Sequence, residues 1–342
     1  MKIAINGFGR IGRSFFRAAH GTSDFDIVAV NDLTDPATLA YLLKYDSVYG
    51  KYKEEVKAES GVLNVAGKAI QVLAEEDPAK LPWKELGIDV VVESTGLFAS
   101  GDKAKAHLDA GAKRVVITAP ASDVPTLLVG VNDEGFSALG GPASSGKNPP
   151  AITCNASCTT NSVAPVMQIL LDNFGIEKAG MVTVHGYTAT QKLVDGPDGK
   201  DMRRGRAAAV NIVPSTTGAA EAVVQSIPEL KGKFNAVAMR VPTITGSISA
   251  TTAFLKKTVT KEEVNEAFKK AASEERWSKV LKVTEDPIVS TDVIGEPYGA
   301  IIDLSLTKVV DGNLVEVFSW YDNEAGYTAT LVEHVRRIGE RL

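Results

Sequence analysis

Six residues near the start of the chain limit its architecture more than any other stretch. Gly7, Phe8, Gly9, Arg10, Ile11 and Gly12 form a Gly-x-Gly-x-x-Gly loop. Residues 2–6 ahead of it read as a short buried strand, and Phe15, Phe16 and Ala19 behind it as one face of a helix. Each glycine has a steric reason: Gly7 lets the chain turn, Gly9 lets backbone approach a pyrophosphate, and Gly12 lets helix and strand touch. The helix start then offers free amides to phosphate. Such a loop alone is a weak signal. It gains weight because residues 26–31 read as a second strand with Asp32 at its end, twenty residues past Gly12. A carboxylate there can accept both ribose hydroxyls of an adenosine.

The doubly wound pattern continues along the first half. Residues 69–73 read as a strand, with 53–67 available as antiparallel edge strands. Residues 89–93 are a near-continuous apolar strand, as expected of a sheet covered on both faces. It runs into Ser94, Thr95 and Gly96, where a nucleotide would lie if this strand sits beside the first. Residues 103–110 read as helix, and 114–118 and 126–131 as strands, the former closing on Thr118. His20 and His107 read most simply as solvated side chains. Residues 133–150 are rich in Gly, Ser and Pro and read as a flexible excursion.

At 342 residues the chain is long enough for two domains. Its net charge of −5 argues against a dedicated nucleic-acid binder, which needs a basic face. Two cysteines are no disulfide framework, so a reducing cytoplasm fits best. The start lacks the features of a signal peptide, and no apolar run approaches the roughly 18 residues of a membrane span. Neither cysteine nor histidine spacing forms a metal-ligand set, so no metal is expected.

The second half opens on Asn155, Ala156, Ser157, Cys158, Thr159, Thr160 and Asn161. Val163, Met167, Leu170, Leu171 and Phe174 follow at the spacing of one apolar helix face. Ser157 is a candidate N-cap, which puts Cys158 in the first turn, where the helix dipole favours thiolate. A buried structural cysteine and a nucleophile both remain open on this ground. Residues 179–184 read as a strand ending in His185, either a core histidine or a base; paired with Cys158 it would form a thiolate–imidazolium couple. The charged loop 192–206 ends in Arg203, Arg204 and Arg206. Pro214 to Gly218 start a helix with hydroxyls and a glycine, a ready anion site. Arg240 lies within an apolar strand, 236–241, where a charged residue needs a partner such as a bound anion. Strands at 246–255, 301–308 and 314–321, with a helix at 261–275, complete an α+β domain with an antiparallel sheet. The last helix, 331–338, holds His334, read as structural, and Asn323 precedes it.

Taken together these residues resemble the glyceraldehyde-3-phosphate dehydrogenase family over essentially the whole chain. The glycine loop, Asn31-Asp32, Ser94-Thr95-Gly96, the Cys158 heptapeptide, 185–191, Arg204, 214–220, 240–243 and 320–327 carry the match. The heptapeptide is highly specific; the glycine loop is not. The resemblance implies an α/β chain: a Rossmann doubly wound parallel sheet, residues 1–157 with 323–342, and an α+β catalytic domain with a mainly antiparallel sheet, residues 158–322. It implies NAD as cofactor, held by the glycine loop, Asp32, Ser94, Thr95, Gly96, Thr118 and Asn323. It also implies that Cys158 attacks the aldehyde of glyceraldehyde 3-phosphate while His185 takes the proton. Hydride transfer leaves a thioester, which inorganic phosphate opens to 1,3-bisphosphoglycerate. Thr188 and Arg240 would hold the substrate phosphate and Ser157, Thr159, Thr217 and Gly218 the attacking one, with Arg204 between. A homotetramer built partly through the loop after His185 is implied as well.

The chain departs from the family pattern in places. Ser162 stands where a second cysteine is frequent, Cys154 where serine is common, and 133–150 is longer than usual. The rival readings are an erythrose-4-phosphate dehydrogenase, a nucleotide- or RNA-binding module with an incidental cysteine, and a cysteine hydrolase. The phosphate-site residues weigh against the first, the acidic balance against the second and the glycine loop against the third. Asp32 sets cofactor choice. A 2′-phosphate would meet a like charge there, and Leu33, Thr34 and Asp35 bring no arginine to answer it. NAD is therefore expected to exceed NADP in kcat/KM; equal values for the two would refute this role for Asp32.

Overall fold

Runs of β-branched residues such as Ile3, Ile5, Val90, Val91 and Val92 are wholly buried, which a strand achieves only inside a sheet covered on both faces. The computed structural model describes residues 1–59, 61–137, 151–199, 201–340 and 342. The chain forms two units: Met1–Leu127 with Asn132–Ala156 and Leu331–Leu342, and Leu128–Val131 with Ser157–Thr330. The expected division assigned 323–330 to the first unit; here those residues group with the second.

The first unit runs β1 (Lys2–Asn6), α1 (Arg10–Ala19), β2 (Asp26–Asn31), α2 (Pro36–Lys44), β3 (Val56–Glu59), β4 (Val62–Val65) and β5 (Lys68–Leu73). It continues with α3 (Trp83–Leu86), β6 (Val90–Glu93), α4 (Gly101–Asp109), β7 (Arg114–Ile117), α5 (Asp133–Ser137) and β8 (Ile152–Cys154). Its sheet has the order β3-β4-β5-β2-β1-β6-β7-β8. All neighbours from β5 to β8 are parallel, and β3 and β4 form an antiparallel edge on β5. From β1 the chain builds outward through β2 and β5, then returns to place β6 on the other side of β1. A cleft opens at that reversal.

The second unit holds α6 (Cys158–Phe174), β9 (Ile176–Gly186), β10 (Val213–Ser215), α7 (Ala219–Ser226), β11 (Phe234–Val241), β12 (Ser247–Leu255) and α8 (Lys261–Ser273). Strands β13 (Leu281–Thr284), β14 (Ala300–Asp303), β15 (Lys308–Val310) and β16 (Leu314–Tyr321) follow, and then α9 (Ala325–Gly339), which starts in this unit and from Leu331 belongs to the first. The sheet order is β10-β11-β9-β12-β16-β14-β13, with β15 also on β16. It is mixed: β9 with β11 and β13 with β14 are parallel, and the other pairs antiparallel. Helix α8 starts in a capping box, Thr260 and Glu263 each satisfying the other's amide.

Several expectations need correction. Residues 126–131 form no strand; only an isolated bridge joins Thr126 to Cys154. Gly130 takes a left-handed φ of +82° and packs so closely on Trp277 that a β-carbon would stand 2.7 Å from the indole. The single strand expected at 301–308 is two short ones, β14 and β15. Residues 133–137 of the expected excursion are the helix α5, and 138–150 lie outside the described residues. His107 is not solvated but wholly buried, and His20 is half-buried with its ring stacked on Phe16.

His334 on α9 is wholly buried and bonds Thr153 Oγ1 at 2.9 Å and Asn155 Oδ1 at 3.2 Å. Burial pushes its pKa down to about 3. Below the unfolded value near 6.5 the unfolded chain takes up a proton that the native ring refuses, so this contribution is intact above pH 6.5 and is lost toward pH 3. Each pH unit in that window costs about 1.4 kcal/mol per such group. Urea melts at pH 7, 6 and 5 should therefore fall more steeply for the wild type than for His334→Gln; equal slopes would contradict the assignment.

Candidate active site

In the first unit, a cleft of ≈ 510 Å³ opens at the carboxyl ends of β1, β2 and β6, lined by Asn6, Gly7, Gly9, Asp32, Ser94 and Thr95 among others. The glycine loop and the turn after β6 fit each other at backbone contact. Gly7 has φ +89°, and a β-carbon there would stand 2.7 Å from the Thr95 nitrogen. One on Gly12 would stand 2.1 Å from the Gly7 oxygen, whereas one on Gly9 would meet nothing within 4 Å. Gly7 and Gly12 are thus needed for packing, and Gly9 leaves the backbone open to a ligand. Ser94 Oγ donates to the Gly7 carbonyl at 2.6 Å and ties the two segments.

The other expected cofactor residues of the first unit have partners of their own. Asp32 Oδ2 accepts from the Phe8 amide at 2.8 Å and Oδ1 from Thr34 at 3.0 Å, which fixes the carboxylate and leaves each oxygen a further lone pair. The Phe8 ring is buried edge-on against Phe16, and Arg10 turns to a salt bridge with Asp46. Ile11 is half-buried and Thr118 follows β7, its amide bonded to Glu93 O. Gly96 has φ +73° in the turn. Leu33 and Leu97, exposed by 63% and 69%, line the cleft and offer apolar flanks to a flat base. The sequence signal for these two was their position beside Asp32 and Gly96.

In the second unit, Ser157 is the N-cap of α6, accepting from the Thr160 amide at 3.1 Å, and Cys158 is the first helical residue. Ala156, just before, holds a left-handed φ of +54°, costly for a residue with a side chain and common near functional groups. Cys158 Sγ lies 3.3 Å from His185 Nε2. The parallel register of β9 and β11 places Arg240 beside His185. Arg240 Nη1 stands 2.6 Å from His185 Nδ1 and donates to the Gly186 carbonyl at 3.3 Å. Nδ1 also lies 2.6 Å from the Gly186 carbonyl, so it either accepts from the guanidinium, with the ring proton on Nε2, or donates to that carbonyl, with Nε2 an acceptor facing sulfur.

The electrostatics differ from the thiolate–imidazolium couple expected from the helix dipole. Burial pushes the Cys158 thiol up, against the opposing pull of Arg240 and of the Thr159 amide and hydroxyl. Burial, and then the charge of Arg240, push His185 down to about 3. Both directions favour the uncharged pair, although Cys158 itself is only half-buried.

The hydroxyls around this pair are ordered. Thr159, 4% exposed, has its Oγ1 3.1 Å from Tyr321 Oη, which lies 2.7 Å from Thr183 Oγ1. The buried Tyr321 ring meets His185 edge to face. Tyr321 and Thr183 went unnoticed in the sequence, although strict alternation along β16 places Tyr321 on the buried face. Arg204 Nε reaches Ser215 Oγ at 3.4 Å. Thr217 Oγ1 accepts from the Ala219 amide at 3.2 Å at the start of α7, where Gly218 is the N-cap. Thr188 is half-buried, its Oγ1 3.0 Å from that of Thr190. Asn323 Oδ1 accepts from Ser247 Oγ at 3.0 Å and Gly246 N at 3.2 Å, which leaves its NH2 to donate elsewhere.

Comparison with known proteins bears on the whole chain. The family model "Glyceraldehyde 3-phosphate dehydrogenase, NAD binding domain" matches residues 1–101, and "Glyceraldehyde 3-phosphate dehydrogenase, C-terminal domain" matches 157–323. A glyceraldehyde-3-phosphate dehydrogenase of Mycobacterium avium is 50% identical over 100% of this chain and 99% of its own length. The chain belongs to the glyceraldehyde-3-phosphate dehydrogenase family. Relatives of the same name from Streptomyces coelicolor, 48% identical over 100% of this chain and 99% of their own, and Clostridium pasteurianum, 50% over 97% and 96%, agree. In this chain Cys154 is a buried strand residue whose Sγ lies 3.2 Å from Thr126 Oγ1, and Ser162 joins the hydroxyls of Ser249 and Ser319.

Proposed function

We propose that the protein oxidises glyceraldehyde 3-phosphate with NAD and inorganic phosphate to 1,3-bisphosphoglycerate. The observation that carries this reading is the sulfur of Cys158 at a helix start, 3.3 Å from His185 Nε2, with Arg240 alongside. The cleft of the first unit suits NAD: a backbone opening at Gly9, a fixed carboxylate at Asp32 and apolar flanks at Leu33 and Leu97. When bound, NAD supplies the acceptor for the aldehyde hydride.

Arg240 answers the substrate phosphate, with Thr188. Drawn to that anion, its guanidinium leaves Nδ1, which can then donate to the Gly186 carbonyl, already 2.6 Å away. The ring proton thereby moves to Nδ1 and Nε2 becomes the acceptor facing the thiol. Cys158 loses its proton to Nε2 and attacks the aldehyde carbon, forming a hemithioacetal. After oxidation the acyl group rests on sulfur as a thioester, activated for transfer. Inorganic phosphate, held by Ser157, Thr159, Thr217 and Gly218 with Arg204 beside them, opens the thioester and restores the thiol. Asn323 presents its amide to the cofactor's carboxamide.

Assembly as a homotetramer is part of this reading. Val182 and Val184 on β9, and Leu193, Val194, Met202 and Val210 in and after the loop following His185, expose more apolar surface than a lone chain usually presents. A sedimentation mass near one chain would overturn it. Two free cysteines, and no described helix long and apolar enough to cross a membrane, support a cytoplasmic setting.

The deciding assay follows NADH absorbance with glyceraldehyde 3-phosphate, NAD, and phosphate present or omitted. Sustained turnover should require phosphate; turnover that ignores it would point to water as the acceptor. Cys158→Ser should lose at least 10³-fold in kcat and still bind NAD. Glyceraldehyde without its phosphate should lose kcat as well as binding, because Arg240 then stays on His185.

A further inference from the structure

Three polar residues stand at the carboxyl ends of adjacent strands of the first unit, in register: Asn31 on β2, Asn6 on β1 and Glu93 on β6. All are buried, at 5%, 1% and 2% exposure. The hydrogen bonds along this row have one possible direction. Glu93 Oε2 accepts from Asn6 Nδ2 at 2.6 Å, Asn6 Oδ1 from Asn31 Nδ2 at 2.7 Å, and Asn31 Oδ1 from the Glu75 amide at 2.9 Å.

His107 on α4 and Trp83 on α3, both wholly buried, complete the row. An indole only donates, and Trp83 Nε1 donates to His107 Nδ1 at 3.0 Å. The ring proton is therefore on Nε2, which donates to Glu93 Oε2 at 3.0 Å. The approach of Asn6 Nδ2 to that nitrogen at 3.4 Å joins two donors converging on one oxygen and is no bond. The other carboxylate oxygen, Oε1, accepts from the Thr95 amide at 2.8 Å and from its hydroxyl. The Thr95 hydroxyl in turn accepts from the Leu97 amide at 3.0 Å.

Trp83, His107 and Glu93 do not line the cleft, but Asn31, Glu75, Thr95 and Leu97 do. We propose that His107 and Glu93 are positioning residues for the cofactor. Trp83 locks His107 in one tautomer, His107 aims the Glu93 carboxylate, and that carboxylate sets two walls of the cleft, Thr95–Leu97 and Asn31–Glu75. The proposal rests on the cleft being the NAD site. A buried carboxylate with four donors holds one orientation, since rotating it would leave several of them unpaired away from water.

The test measures the NAD dissociation constant calorimetrically, with urea midpoints beside it. Wild type, His107→Leu, His107→Gln, Thr95→Val and the His107→Leu/Thr95→Val double variant are compared. His107→Leu should weaken NAD binding about tenfold and raise KM for NAD by more than kcat falls. His107→Gln, whose amide offers an acceptor and a donor about as far apart as the ring nitrogens, should recover most of it. The double variant should lose less than the product of the single losses, because both act on one contact. Unchanged affinity in His107→Leu, or losses that simply multiply, would overturn the proposal. If His107→Leu does not fold, Trp83→Phe decides: it keeps the ring, removes the N–H and should weaken NAD about threefold, and no weakening refutes the idea. Failure of the wild type to bind NAD would instead bring down the reading of the cleft itself.

Discussion

The chemistry of the second unit depends on a guanidinium standing against an imidazole. Parallel pairing of β9 and β11 sets Arg240 opposite His185, where its charge opposes protonation of the ring. Two like charges about 4 Å apart repel by about 4 kcal/mol at an effective dielectric near 20. Burial of the ring is the larger obstacle to an imidazolium, and the arginine adds to it in the same direction. In the proposed reaction an arriving phosphate removes the second of these by giving the arginine a better partner. On the proposed reading, the event that binds substrate also prepares the base.

The first unit solves a different problem, which is to present bare backbone to a polyanion without losing a packed core. It does so by letting Gly7 and Gly12 close against Ser94, Thr95 and the loop itself. Gly9 stays clear of other atoms. Asp32 is held by the Phe8 amide, so the carboxylate and the glycine loop form one rigid piece.

Most of this was legible in the sequence because it depends on local pattern. Strands β1 and β2 lie where the apolar runs placed them, and the N-cap at Ser157 follows from a hydroxyl ahead of an apolar helix face. What escaped depends on partners distant along the chain. His107 on an amphipathic helix looks solvated until Trp83 and Glu93 are brought to it by folding. Residues 126–131 are apolar enough for a strand, yet Gly130 turns them toward Trp277. The electrostatics of Cys158 show the same limit: a helix start can be read from sequence, and the burial that pushes the thiol up cannot.

The four residues Leu128–Val131 have a further consequence. They group with the second unit although the chain on both sides of them belongs to the first, and Arg276 reaches the Gly130 carbonyl while its indole neighbour covers the glycine. The catalytic half is therefore not a cassette that one excision could lift out. Recombination that swapped residues 157–330 between relatives would carry Trp277 away from the four residues it packs with, so exchange is constrained to donors whose upstream segment fits the same indole.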